Sequence, residues 1–386
     1  MIEKYINFYK ENLANSVIPF WLKNSPDWEF GGHFTCLEED GSIYDTRKYI
    51  WLQGRCLWMF SRLYCDFEER TEFFDLAAST ADFIDKYASD ENGDYYFSVT
   101  REGKPFARQV DLYGKVFCML GYLEYSKISG RSAYFDKSKA LFNEIIDSVK
   151  KIRQAKDGVC SGVPAMSTLS DQMVLADMSM ELYEVENKQE YLDIMQEVLS
   201  NILMHYVPDK NILLENISLD GTDITKWPEG RFCSPGHSVE VAWFILHLLK
   251  FIPDNSVNGL AHDIIEGTLE YGWDWEYGGL CNSIDIENKS DILIESYTKL
   301  WWPHAEAIYA VLCAYKEDDD PKWLYWLKKL HNYVADHFID EEGGGWYGFC
   351  DRYGNLINSA KGSHSKGFFH VPRMLLYSSQ LFDDNC

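Results

Sequence analysis

The sequence predicts an all-α fold, an (α/α)6 barrel of about twelve helices with short β-hairpins at one mouth. Three observations predict it. Helical periodicity runs through most of the chain, and short turn-centred strand segments separate alternate helices. These units recur about every 60 residues, close to one sixth of a 386-residue chain.

Apolar residues at three- and four-residue spacing fall near 2–22, 50–67, 71–89, 111–129, 134–152, 169–185, 188–206, 236–251, 258–271, 292–316, 321–338 and 371–382. Four intervening stretches read as hairpins. They are FGGHFTCLEEDGSIYD (30–45) around Asp40-Gly41, YYFSVTREGKP (95–105) around Glu102-Gly103, ILLENISLDGTDI (212–224) around Asp220-Gly221, and WYGFCDRYGNLI (346–357) around Tyr353-Gly354. KDGVCSG (156–162) and YGGLCNSID (277–285) are weaker members of the same series. Helix pairs closing on themselves account for the repeat, and an open α-solenoid is the structural alternative. No low-complexity linker divides the chain, so residues 1–386 are expected to form one domain.

Lys plus Arg number 36 against 61 Asp plus Glu, a formal net charge of −25. Such a surface repels phosphate backbones and anionic bilayers, which argues against nucleic acid and membrane partners. The N-terminal MIEKYINFYKENL lacks an apolar h-region, and the most apolar run, VAWFILHLLKFI, is too short to span a bilayer and contains His247 and Lys250. Ten cysteines without a CxxC pair are expected to be free thiols in a reducing compartment, the cytoplasm. Aromatic residues make up 16% of the chain, enough both to fill a large core and to line a carbohydrate site.

Three histidines share a local grammar. His237 in SPGHSVE (234–240), His304 in WWPHAEA (301–307) and His370 in FHVPRMLL (369–376) each lie beside a proline at the start of an apolar-periodic run. Proline in that position marks a helix N-terminus. Arg55 closes WLQGR (51–55), in the first turns of the second helix. If alternate helices form an inner ring, their N-termini gather at one mouth, where the positive helix end favours a neutral, basic histidine. The same residues also read as structural histidines, with Glu240 and Glu306 answering helix dipoles and Arg55 and Arg231 in surface ion pairs. His33, His205, His247, His262, His331 and His337 are expected to be structural. No metal is expected. His237 and Glu240 share a helix face, but no HExxH or Cys/His pairing accompanies them, and His364 and His370 are six apart. No GxGxxG or P-loop motif occurs.

WLQGRCLWMFSRLY, SPGHSVEVAWF, KLWWPHAEA and KGFFHVPR, with GGHFTCLEEDGSIYDTRKYIWLQGR and LLENISLDG, resemble the N-acylglucosamine 2-epimerases, a family that includes mammalian renin-binding protein. The resemblance runs from about residue 28 to residue 373. It implies an (α/α)6 barrel that interconverts N-acetylglucosamine and N-acetylmannosamine. It also implies His237 and His370 as the catalytic pair, Arg55 as a substrate-binding arginine and Glu306 as a substrate-binding carboxylate. Arg231, Glu240 and His304 would complete the pocket, with Glu240 orienting the His237 ring and Trp301 or Trp302 packing on the sugar. No cofactor is implied for the chemistry. ATP enters as the family's allosteric activator, although KDGVCSGVPAMSTLSDQM, from residue 156, departs from the family pattern. The implied partner is a small amino sugar, and a homodimer stays open as the assembly. Competing readings are a ketose-forming isomerase or a 2-epimerase of mannose or a disaccharide, an inverting glycoside hydrolase with paired carboxylates, and a non-catalytic binding protein.

Overall fold

A computed structural model describes residues 2–154, 158, 162–257 and 259–383. In chain order its helices are α1 (Ile2–Asn12), a π-helical turn (Leu13–Val17), α2 (Ile18–Asn24), α3 (Ile50–Asp66), α4 (Thr71–Tyr87), α5 (Tyr113–Ser129), α6 (Ser132–Gln154), α7 (Leu169–Glu186), α8 (Gln189–Met204), α9 (Pro235–Phe251), α10 (Leu260–Gly272), α11 (Trp301–Asp318), α12 (Pro321–His337) and α13 (His370–Gln380). With α1, the π turn and α2 as one continuous rod, they match the twelve periodic segments. The largest shift is at 292–316, where the helix begins only at Trp301. Ile292 and Ile294, which extended the apolar pattern, are exposed loop residues. No helix among the described residues is long and apolar enough to cross a membrane.

The chain packs as two compact units. The first comprises Met1–Asp147, Ile339–Gly348 and Asn358–Gln380, and the second Ser148–Phe338, Phe349–Ile357 and Leu381–Cys386. In the first, α3 packs on α4 and α5, and α1 on α13. In the second, α9 packs on α7, α10 and α11, with α8 on α7 and α12 on α11. Burial explains the division of labour. Every residue of α9 from Ser238 to Leu246 is buried, so this helix is enclosed on all sides. In contrast, α12 buries only Trp323, Trp326, Leu327, Leu330, Tyr333 and Val334, a single stripe at helical spacing.

Three expected hairpins form. Cys36–Leu37 pairs with Ile43–Asp45, Tyr96–Val99 with Pro105–Arg108, and Phe349–Cys350 with Leu356–Asn358. The expected hairpin at 212–224 does not. Ile212–Leu213 pairs backwards with Tyr206–Val207, and Asn216–Ser218 pairs with Met166–Thr168. The turn at Asp220-Gly221 is real, but the strand before it has a partner remote in sequence. At 277–285, Ile284–Asp285 pairs with Phe232–Cys233 instead of folding back locally. The weak member at 156–162 lies largely outside the described residues.

One device recurs that the periodicity does not reveal. Asp27, Asp274 and Asp340 each open a loop of the form Asp-x-x-x-Gly-Gly. The two glycines take positive φ in every copy, at 83° and 73°, 81° and 77°, and 78° and 72°, a region closed to most L-residues. The Asp N–H donates to the second glycine's carbonyl at 3.0, 2.9 and 3.1 Å, which closes each loop. One carboxylate oxygen caps two loop N–H groups, and the other accepts from a fully buried lysine. The pairs are Lys48–Asp27 at 2.8 Å, Lys299–Asp274 at 3.1 Å and Lys361–Asp340 at 2.6 Å. Arg101 and Arg352 add a second cation to the first two. Burial alone would raise the carboxyl pKa values. The arginine and lysine donors outweigh it, holding both Asp27 and Asp274 at about 2.

Removing one partner from such a buried pair strands the other charge. Asp27→Asn is expected to lower the unfolding free energy by about 3 kcal/mol or more, read by chemical denaturation at pH 7. The sign with pH follows from a depressed folded pKa. The contribution of Asp27 and Asp274 is present above the unfolded value of about 4 and is lost as pH falls toward 2. The gap between wild type and Asp27→Asn should therefore narrow steadily between about pH 4.5 and pH 2.

Candidate active site

In the first unit the site residues are Arg55 and His370. Arg55 lies on α3, which starts two residues after the buried Lys48. His370 is the first residue of α13, with Pro372 in the same turn, where a missing N–H costs no helical bond. The Arg55 Nη1 lies 3.2 Å from Nε2 of His370. The guanidinium sits among the rings of Trp51, Phe117 and Phe369, at 4.5, 4.0 and 4.5 Å from their centroids. Arginine carries donors only, so Nε2 of His370 must accept, and the ring in this arrangement is the neutral form. Phe369 also meets the His370 ring edge-on.

In the second unit His237 lies in the first turn of α9, whose N-cap Ser234 accepts from the His237 N–H. Its Nδ1 is 2.8 Å from Oε2 of Glu215. Glu240 was expected to orient this ring from one helical turn away, but the carboxylate found on Nδ1 is Glu215, 22 residues back in the chain. Burial raises the Glu215 pKa, but the adjoining His237 charge and hydrogen bond overcome it, and the net shift is downward. An ionised Glu215 only accepts, so Nδ1 carries the proton. A helix N-terminus disfavours imidazolium by roughly 0.3–1 kcal/mol, whereas a hydrogen bond to a charged group contributes about 1.5–3 kcal/mol. The Glu215 carboxylate therefore acts on the His237 ring in the direction opposite to the helix N-terminus.

The Trp302 ring lies 5.1 Å from that of His237, tilted 43°. Trp301 is buried against Phe349. Of the two tryptophans, Trp302 is the one beside a site histidine. Glu306 and Glu240 are buried, and Glu306 accepts from Nε1 of Trp243 at 3.1 Å. Arg231, expected as a surface ion-pair member or pocket residue, is buried and donates through Nε to Asp285 at 2.8 Å and through Nη1 to the Thr225 carbonyl. His304 departs furthest from its expected role. It is fully buried, its Nδ1 lies 2.6 Å from the Leu300 carbonyl, and Nε2 accepts from the Leu280 N–H at 2.9 Å. Burial pushes its pKa down to about 3. With both nitrogens committed to main chain, His304 supports α11 and has no ring nitrogen to offer a sugar.

The family model for N-acylglucosamine 2-epimerase (GlcNAc 2-epimerase) matches residues 32–373. The chain belongs to the N-acylglucosamine 2-epimerase family. It is 34% identical to N-acylglucosamine 2-epimerase of Mus musculus over 96% of this chain and 90% of that protein. Against the Homo sapiens N-acylglucosamine 2-epimerase it is 32% identical, covering 95% and 87%. The structure of cellobiose 2-epimerase from Bacillus thermoamylovorans superimposes with a TM-score of 0.84 at 20% identity, over 98% of this chain and 100% of that one. This likeness bears out the expected fold class, an all-α (α/α)6 barrel.

Within this family member, the Trp302–His237 contact depends on Gly236. A Cβ at residue 236 would lie 2.4 Å from two ring carbons of Trp302. Gly236→Ala should displace Trp302 and cost about 1–3 kcal/mol by overpacking, read by urea denaturation together with a change in native tryptophan fluorescence.

Proposed function

We propose that this protein is an isomerase that interconverts N-acetyl-D-glucosamine and N-acetyl-D-mannosamine by inverting C2. Family membership supports the reaction class, and the observation that carries the chemistry is the Arg55–His370 bond, which holds a neutral histidine beside a permanent cation. C2 of the cyclic sugar is not acidic. Ring opening makes C1 an aldehyde and places the C2 proton α to a carbonyl. A base then takes that proton while the C–H electron pair moves into an enolate, with negative charge on the carbonyl oxygen. Inversion requires a proton delivered to the opposite face, so two groups that titrate near neutrality suit the task.

His370 would be the base for one direction and His237, held as imidazolium by Glu215, the acid. The roles swap in reverse. Arg55 would stabilise the enolate oxygen. Glu306, Glu240 and Arg231 would bind or frame the sugar hydroxyls, and Trp302 would pack against the ring carbons. The chemistry needs no cofactor, and ATP acts in this reading only as an allosteric activator. The reaction supplies or salvages a sialic acid precursor, in the cytoplasm and as a homodimer.

Incubation with N-acetylglucosamine and with N-acetylmannosamine should give the same equilibrium mixture, with mannose and cellobiose poor substrates. The same assay with and without ATP decides activation. In heavy water the product should carry deuterium at C2, and an unlabelled product would exclude the two-base scheme. His370→Asn should reduce kcat by about 10³-fold or more with an unchanged far-UV spectrum. Retained turnover would remove His370 from the mechanism.

A further inference from the structure

Glu215 lies outside the helices, in the stretch between Ile212–Leu213 and Asn216–Ser218. Both flanking strands are paired, Ile212–Leu213 with the nearby Tyr206–Val207 and Asn216–Ser218 with the remote Met166–Thr168, so the position of its backbone is fixed from two sides. Its own N–H donates to the Phe232 carbonyl at 2.9 Å. Its Oε1 accepts from the Ser170 N–H at 3.3 Å, in the first turn of α7, and Oε2 faces His237. A buried carboxylate supported in this way has little freedom, and it directs one oxygen at one nitrogen of a histidine whose side chain is 27% exposed.

We propose that Glu215 is a positioning residue for the C2 inversion, fixing the Nδ1–H tautomer of His237 and keeping that ring in its proton-donating form. This rests on the epimerase reading above and deepens it. With Nδ1 bound to Glu215, proton exchange with the sugar would run through Nε2. A neutral His370 and a charged His237 then give the resting protein one base and one acid before substrate arrives. Each half-reaction moves one proton, so turnover in either direction ends with the two rings in exchanged states. Glu215 accepts no proton itself. It stabilises the charged state of one ring, as a carboxylate behind a catalytic histidine does in acyl-transfer enzymes.

Two other titratable groups face Glu215. His205, at the end of α8, is buried and its pKa is lowered by that burial, with its ring nitrogens near the Leu214 carbonyl and the Ser167 hydroxyl. Cys233 is a thiol pushed up to about 12 by burial, with Asp291 a further charge near it. Neither is charged at neutral pH in these surroundings, so His237 is the counter-charge that Glu215 has on this side. Glu240 shares α9 with His237, and Trp302 presents no charge.

The test compares wild type, Glu215→Gln and Glu215→Asp. Glu215→Gln keeps the shape and loses the charge, and kcat should fall by about 100-fold or more while KM stays within about threefold. The alkaline limb of kcat should move to lower pH by about one unit, because His237 loses the carboxylate that keeps it protonated. Glu215→Asp, which retains the charge, should restore part of kcat and the wild-type position of that limb. Nitrogen-15 histidine NMR of the wild type, assigned by the signal lost in His237→Asn, should show Nδ1 protonated and His237 charged at neutral pH. A His237 that is neutral at pH 7 in the wild type would overturn the proposal even if Glu215→Gln failed to fold. So would a Glu215→Gln enzyme within twofold of wild-type kcat. A wild type without epimerase activity but with a charged, Glu215-bound His237 would sink the epimerase reading instead, which separates the two failures.

Discussion

Taking a lysine ammonium out of water costs several kcal/mol unless a carboxylate and further acceptors receive it. This chain does so three times, and the placement of its chemistry depends on it. Lys48 precedes α3 by two residues, and α3 carries Arg55. Lys299 precedes α11 by two residues, and α11 carries Trp302 and Glu306. Lys361 leads into the stretch that ends at His370. There a further buried lysine, Lys366, donates to the Lys361 and Trp346 carbonyls at 2.6 and 2.8 Å. Burial, with Lys361 nearby, pulls the Lys366 pKa down to about 7. Each ammonium ties the loop after one helix to the chain leading into another. An apolar residue would fill the same volume, but it would not hold the loop's Asp carboxylate, nor the Gly31 and Gly344 carbonyls that Lys48 and Lys361 also reach.

The helices were legible because their stripes of apolar residues follow the helical period wherever one face is covered. They stayed legible even in α9, where nearly every face is. The periodicity misled at 292–300 because apolar residues in an exposed loop, Ile292 and Ile294, happen to continue the pattern. The strands were legible only where both partners lie within one turn of each other. Asn216–Ser218 is three residues long and pairs with Met166–Thr168, so nothing local marks its register. The buried lysines were hidden by residue type, since Lys in a sequence reads as surface. The signal that would have found them is the thrice-repeated Asp-x-x-x-Gly-Gly. Glu215 was hidden in the same way, quoted as part of LLENISLDG but read as a hairpin residue.

The histidines sort by what their nitrogens meet. His33 is buried, near Ser25 through Nδ1 and stacked on Phe60, and burial with Lys48 nearby pushes its pKa to about 3. His205 and His304 have main-chain carbonyls against Nδ1 and lowered pKa values, again chiefly from burial. A ring held neutral across the physiological range serves as a hydrogen-bonding spacer, and proline-marked helix starts do not distinguish such a ring from a proton carrier. This is why His304 and His237 looked alike in sequence, each one residue or one turn from a proline, and behave differently in the fold.

Charged partners distinguish the two histidines expected to be catalytic. His370 meets a guanidinium, which cannot accept a hydrogen bond, and His237 meets a carboxylate, which cannot donate one when ionised. Those two valence facts leave Nε2 of His370 without a proton and place one on Nδ1 of His237. They need neither a long-range field nor an unusual pKa. An enzyme that must remove a proton from one face of a carbon and return one to the other benefits from that asymmetry. If both rings rested neutral, the first turnover would wait for a proton from solvent. If both rested charged, there would be no base. In each case the deciding contact is short and lies within the ring's own unit.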